Sequence, residues 1–356
     1  MTQERDLEGE FPSGTNSDTN NPNKDLLISE FEKVATSVQL QRLQGWVELI
    51  NKTMSDFIEQ NQGEPKILYQ AANHLLVAGG KRFRSLLSIL ACLGVGGDPK
   101  DILPIALAEE LLQTASLIHD DMIDKDDFRR GVESVHKKYG EEIAIIAADL
   151  LIAQAIRLIG EYGTLELLVN VGHGGIKMCE GETEDFLYVA NESEPLSISE
   201  YLLMVDSKTV SFMKEAVRSG ATFGKASREQ MDILDEYARN LGNAFQIRDD
   251  ILDITSSAKD TGKSVLSDLK KRGINYLFIY ALESVSAKRR KQCLEELSAG
   301  NPKDALSLIQ ETNAVENAKD LAQRYVDRAK EALKTIDLNE KDLLEIIADY
   351  VITRER

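Results

Sequence analysis

Cysteine is scarce in this 356-residue chain: Cys92, Cys179 and Cys293 stand far apart, and no CxxC pair occurs. That pattern excludes a disulfide framework and a thiolate zinc centre, so all three are expected to be buried apolar residues of a reducing compartment. Histidine is equally sparse. His74, His119, His136 and His173 show no HExxH or clustered spacing, and structural or hydrogen-bonding roles are expected for them. Lysine and arginine total 42 against 60 aspartates and glutamates, a net charge of -18. Such a balance argues against nonspecific nucleic-acid binding, which needs an accumulated cationic surface. No run reaches the ~20 uninterrupted apolar residues of a membrane span, and the opening MTQERDLEGE has no apolar signal-peptide core. A cytoplasmic location without a transmembrane segment is expected, and peripheral membrane contact stays compatible with it.

Alternating strand patterns are almost absent, and only seven prolines occur. Pro65, Pro99, Pro104, Pro195 and Pro302 fall between periodic segments, so none is expected to break a long helix. Residues 1–24 are polar, rich in Gly, Ser, Thr and Asn, and are expected to form a disordered leader. From residue 25 to 356, apolar residues recur at spacings of three and four, which predicts an all-α unit. Helices are expected near 27–60, 66–78, 82–94, 101–124, 140–160, 164–189, 198–223, 228–255 and 273–284, with shorter ones to the end.

Against these absences stands LIHDDMIDKDDFRRG, residues 117–131, with five aspartates in eight positions after an apolar run. QIRDDILD, residues 246–253, repeats the DDxxD element at the end of another apolar-periodic helix. On a helix Asp120 and Asp124 share a face, with Asp121 offset by about 100°. Asp249, Asp250 and Asp253 repeat that geometry. Carboxylates this crowded raise one another's pKa unless a cation holds them ionised. Mg²⁺ suits the task, because it takes carboxylate and water oxygens together with substrate phosphates. Two facing clusters would bind a diphosphate and help it leave by neutralising the developing charge. GGKRFR, residues 79–84, adds a flexible glycine pair with Lys81, Arg82 and Arg84 at a helix start, a fitting place for phosphate. A solvated acidic helix end and an ordinary basic loop are the bland readings of these stretches.

DDMIDKDDFRRG resembles the first aspartate-rich motif of the trans-isoprenyl (polyprenyl) diphosphate synthases, DDxxDxxxxRRG, and RDDILD resembles their second. GGKRFR resembles the family's GGKRxRP. His136, Asp149, Lys208-Thr209, Phe245-Gln246 and Gly262-Lys263 extend the likeness in the family's order over residues 65–352. The resemblance implies a single large helical domain of the isoprenoid synthase type around a deep central cavity, active as a homodimer or higher homo-oligomer. It implies condensation of isopentenyl diphosphate onto an allylic diphosphate. Mg²⁺, three ions by likeness, would sit on Asp120, Asp124 and Asp249, with Asp121, Asp250 and Asp253 supporting. Lys81, Arg84, Gln113 and Arg130 would bind isopentenyl diphosphate, and Arg129, Lys208 and Lys263 the allylic diphosphate. Thr209 and Gln246 would stabilise the cation or orient the departing proton. Several positions depart from the pattern: Ser85 and Glu133 for prolines, Glu182 for glutamine, and DLKKRGINYLF for DLxxGKxT. In the last, Gly273 replaces a phosphate-binding lysine, Asn275 a threonine, and Lys271 or Arg272 is expected to substitute for the missing cation.

In this family the product grows along the helix that precedes the first motif. Ala115 and Ser116, five and four residues before Asp120, are small, and Leu112 lies one turn deeper. A C20, geranylgeranyl-type or longer product is expected. Farnesyl-type and C25 or longer synthases are the neighbouring alternatives. A class I terpene cyclase would lack GGKRxR and carry a different second motif, and a noncatalytic subunit would have eroded aspartates.

Overall fold

The computed structural model describes residues 28–189, 196–255 and 274–355. The expected leader, and with it Lys263, Lys271, Arg272 and Gly273, lies outside the described residues. Among these residues the chain is helical apart from one two-stranded hairpin.

The predicted 27–60 helix is divided at Thr36. A helical stretch at 28–31 is followed by a turn, and Thr36 then caps α1 (Ser37–Gln60) in a reciprocal capping box with Gln39. Next come α2 (Lys66–Val77), α3 (Phe83–Gly94) and α4 (Pro99–Asp124). Asp98 caps α4 through the Lys100 N–H, with Pro99 in the first turn where its missing N–H costs nothing. Pro104 corrects an expectation. It lies inside α4, and is tolerated one turn past the start because only the bond to Lys100 is lost. Lys125, at φ 56°, closes the helix directly after Asp124.

The RRG segment forms a hairpin that periodicity does not predict, since β1 (Phe128–Arg129) and β2 (Val132–Glu133) have two residues each. Arg130 and Gly131 both have positive φ, 54° and 80°, as a tight two-residue hairpin turn demands. The short α5 (Val135–Tyr139) follows, then α6 (Glu141–Tyr162) and α7 (Leu165–Val189). By length and composition α6 is apolar enough to cross a membrane. Here it packs along α4 and buries Ala144, Ala147, Ala148, Leu151 and Ala155 in the core.

The predicted 198–223 helix is interrupted. α8 (Ile198–Val205) widens into a π turn at Asp206–Val210 before α9 (Ser211–Phe223). α10 (Arg228–Thr255), α11 (Tyr276–Glu283), α12 (Ala287–Ser298), α13 (Lys303–Glu311), α14 (Ala314–Lys334) and α15 (Lys341–Thr353) complete the chain. Two apolar clusters hold it together, and α10 joins them: Tyr237, Leu241 and Ala244 belong to the first, Ile247 and Ile251 to the second. Asp249 and Asp250 therefore sit on a helix fixed from both sides. Cys92 and Cys293 are buried as expected, whereas Cys179 is exposed on α7.

Candidate active site

The ends of α4 and α10 bring the two aspartate motifs to one cavity of about 270 Å³. Asp120, Asp124, Asp185, Asp249, Asp250, Arg129 and Lys208 supply its charged lining, with Thr209, Gln246 and Tyr201 beside them. Asp185 and Tyr201 are site residues that sequence reasoning missed. For Asp185 the signal lay in GETEDF, three residues after the departure at Glu182.

The acidic residues divide by neighbour. Asp121 is fully buried and accepts from Arg129 Nε at 2.6 Å, while Asp126 lies 3.6 Å from the same guanidinium. It thus aims Arg129 across the hairpin. Asp250 is 4% exposed and accepts from the Tyr201 hydroxyl at 2.7 Å, the Tyr276 N–H at 2.6 Å and Gln246 Nε2 at 3.0 Å. Asp253 is half-buried outside the cavity lining. Asp120, Asp124 and Asp249 are the motif carboxylates that face the cavity, together with the edge of Asp250. Burial pushes Asp120 up to about 6, with Glu182 and Asp124 adding to the rise against Lys208 and Arg129.

The π turn carries Lys208 and Thr209, an irregularity typical of functional positions because it re-aims side chains within a helix. Lys208 Nζ lies 2.6 Å from both Asp185 and Glu182. Burial alone would lower Lys208, but these two carboxylates outweigh it and hold it above its ordinary value. Gly181 permits this approach of α7, since a Cβ there would stand 2.7 Å from the Lys208 backbone nitrogen. Thr209 Oγ1 donates to Gln246 Oε1 at 2.7 Å, and Gln246 in turn donates to Asp250.

The basic GGKRFR segment splits in function. Arg82 is buried and caps α3 from the left-handed region, bonded to Asn51, the Leu76 carbonyl and Glu110. Ser85, in place of the family's proline, donates to Glu110 and to the Ala106 carbonyl. This departure is therefore fully satisfied. Lys81 and Arg84 lie close enough to the cavity for Asp249 to raise both, yet burial dominates and lowers Lys81 and brings Arg84 to about 10. Arg130, likewise lowered to about 10 by burial and then by Arg82, donates to the Leu75 carbonyl at 2.7 Å. Gln113 is half-buried on α4 with its Oε1 unpartnered. His74 bonds the Glu133 carbonyl at 2.8 Å, the structural role expected of it.

Both chain ends contribute residues that no motif announced. Arg354 donates to Asp249 Oδ1 at 2.6 Å and lies 3.7 Å over the Phe245 ring. Glu30 accepts from the Tyr350 hydroxyl and the Glu355 N–H, and stands 3.3 Å from Lys81. Asn275, the replaced threonine, caps α11 through the Leu277 N–H and donates to the Asp250 carbonyl.

The cavity's donors are oxygens, with no cysteine or histidine among its lining. Among the described residues no three acidic, histidine or cysteine groups close into a complete ligand set. A hard divalent cation shared with phosphate and water fits both facts, because such an ion uses one or two carboxylates per site. Zinc in a closed site does not fit.

A helical bundle with paired aspartate clusters, Arg129 and Lys208 around one cavity has the arrangement of the enzymes that act on allylic diphosphates. The polyprenyl synthetase family profile matches residues 65–313, more than half of the chain, and the protein belongs to that family. A short chain isoprenyl diphosphate synthase of Methanothermobacter thermautotrophicus is 35% identical over 316 residues, 86% of this chain and 95% of the relative. A geranylgeranyl diphosphate synthase of Methanosarcina mazei is 36% identical over 301 residues, 82% and 91% of the two chains. The polyprenyl synthase of Caulobacter crescentus, solved with calcium and isoprenyl diphosphate, superposes with a TM-score of 0.78 at 27% identity over 92% of this chain and 98% of its own. The protein is a prenyltransferase.

Proposed function

We propose that this cavity joins isopentenyl diphosphate head to tail to an allylic diphosphate and releases an all-trans product of C20 or longer. The observation that carries the reading is the convergence of both aspartate motifs, Arg129 and Lys208 on one cavity. The name of the Methanosarcina relative supports the C20 length. The calcium and isoprenyl diphosphate of the Caulobacter structure support a divalent cation beside substrate. Residues 25–356 act as one catalytic unit in this reading.

Asp120, Asp124 and Asp249 would hold the metal, three Mg²⁺ ions with Asp121, Asp250 and Asp253 in support. Bound there, Mg²⁺ supplies charge neutralisation of the leaving diphosphate. Arg129 and Lys208, with Lys263, grip the allylic diphosphate by charge-assisted hydrogen bonds. Lys81, Arg84, Gln113 and Arg130 take isopentenyl diphosphate. Thr209, whose proton is committed to Gln246, turns oxygen lone pairs toward positive charge in the cavity. No covalent nucleophile is needed. Chromatography of products made from labelled isopentenyl diphosphate with each allylic primer and Mg²⁺ tests the reading, and a product stopping at C15 sinks the length assignment.

Ala115 is 1% exposed, while Ser116 and Leu112 are half-buried on the adjoining face. Ala115→Phe is expected to shorten the main product to C15 at a stability loss of ~1–3 kcal/mol from overpacking. An unchanged product length in that variant would place the limit elsewhere.

A homodimer is part of the same reading. Ile145 and Ile156 of α6 and Leu165, Val169 and Ile176 of α7 expose 46–78% of their surface. Their spacing makes an apolar stripe on each helix of a kind that marks protein interfaces. Sedimentation is expected to give twice the 39.6 kDa chain mass, and Ile156→Glu with Ile176→Glu is expected to give monomer. A monomeric wild-type protein would overturn the assignment.

A further inference from the structure

Glu109 is an acid that no part of the reaction above uses. It lies eleven residues before Asp120 on α4, which is ~16 Å along the axis and within ~20° of the same face. The side chain is buried at 7% exposure, and neither carboxyl oxygen has a hydrogen-bond partner. Burial pushes Glu109 well above the usual carboxylate range, and the nearby Ser219 and Ser88 hydroxyls offset this only in part.

Around Glu109 lies a second cavity of about 20 Å³, the size of one water. Arg84, Leu112, Phe212, Glu215 and Ser219 contribute to its wall, with the Arg84 guanidinium over the Phe212 ring. Glu215 of α9 is brought up to about 7, chiefly by burial, and has one oxygen without a partner. It can lie here because α7 presents Gly174, where a Cβ would strike the Glu215 side chain. Read down the α4 face from Asp120, the order is Ser116, Leu112, Glu109. The wall is small, then apolar, then acidic.

A growing prenyl chain is pure hydrocarbon, with no donor or acceptor to offer. Against Leu112 it gains by leaving water. One turn further it would cover two carboxyl groups and the Arg84 guanidinium, with the Ser88 and Ser219 hydroxyls beside them, and close them off from water while offering no polar group in return, an arrangement that interiors penalise. We infer that Glu109, with Glu215 on the facing helix, is the polar floor that ends chain growth, setting product length by desolvation rather than by bulk. The inference rests on the prenyl-transfer reading.

Size-matched substitutions separate polarity from shape. Glu109→Leu replaces an acid by hydrocarbon of similar volume, and its products from labelled isopentenyl diphosphate are expected to lengthen by at least one isoprene unit. Glu109→Gln keeps both size and polarity, and the wild-type product distribution is expected. Glu215→Leu is expected to shift in the direction of Glu109→Leu. Unchanged lengths in both leucine variants, with isopentenyl diphosphate incorporation retained, overturn the floor, as does lengthening by Glu109→Gln equal to that by Glu109→Leu. Exchanging a buried unpartnered acid for a packed apolar residue favours folding, and if Glu109→Leu is insoluble, Glu215→Leu decides alone. Absence of incorporation by the wild-type protein from any primer would instead sink prenyl transfer, and the floor with it.

Discussion

Asp120→Ala and Asp249→Ala are each expected to lower isopentenyl diphosphate turnover by about 10³-fold or more while the protein stays folded. The two carboxylates enter one cavity from different helices, α4 and α10, so neither can replace the other's position. Loss of a single preorganised group at developing charge already costs about 10²–10³-fold, and a lost metal ligand also weakens the ion that provides the neutralisation. Folding should survive. Asp120 is crowded by burial, Glu182 and Asp124, so alanine relieves a repulsion rather than breaking a bond. Asp249 bonds Arg354, which keeps the Phe245 carbonyl as a second acceptor. Steady-state assays across Mg²⁺ concentration, paired with thermal melting, check both variants. Retained turnover in both would return the aspartates to the role of surface charge.

The first motif of this site was legible in the sequence, because DDxxD is a statement about helical phase, whereas in the second Asp250 lines the cavity and Asp253 does not. First and fifth aspartates share a face, and the second lies about 100° away. Asp120 and Asp124 accordingly line the cavity, whereas Asp121 turns to Arg129. Long helices such as α4, α6 and α10 follow from sustained periodicity, and the tertiary packing agrees with it. Short features did not announce themselves. Two-residue strands have no period to detect, and a π turn at Asp206–Val210 adds no composition signal. Residues that act by long-range contact were equally hidden: Glu30 and Lys81 are 51 positions apart in sequence yet 3.3 Å apart in space. Asn275 looked like a defect in a phosphate-binding motif. Its carboxamide in fact caps α11 and fixes the Asp250 backbone, and a side-chain amide does that work because it donates and accepts at once.

Asp250 is where phase alone is insufficient, and its substitution should have a large effect of a different kind. Sequence likeness makes it a supporting metal residue; its contacts make it a hub. Its carboxylate accepts from the Tyr201 hydroxyl, the Tyr276 N–H and the Gln246 amide, all buried or half-buried donors. Asp250→Ala strands these donors, and a loss of about 3–5 kcal/mol in unfolding free energy is expected, measured by urea titration. Asp250→Asn keeps the volume and one acceptor oxygen, so a smaller loss of ~1–2 kcal/mol is expected. The consequence for the reaction runs through Gln246, which is held by Asp250 and in turn holds Thr209. A hub predicts that Asp250→Asn lowers kcat while the Mg²⁺ concentration for half-maximal activity stays near the wild-type value. A direct ligand predicts a rise in that concentration, of the tenfold order or more that loss of a metal-site partner brings. Activity titrated with Mg²⁺ on the folded asparagine variant separates the two, and a strongly raised metal requirement would make Asp250 a ligand first and an anchor second.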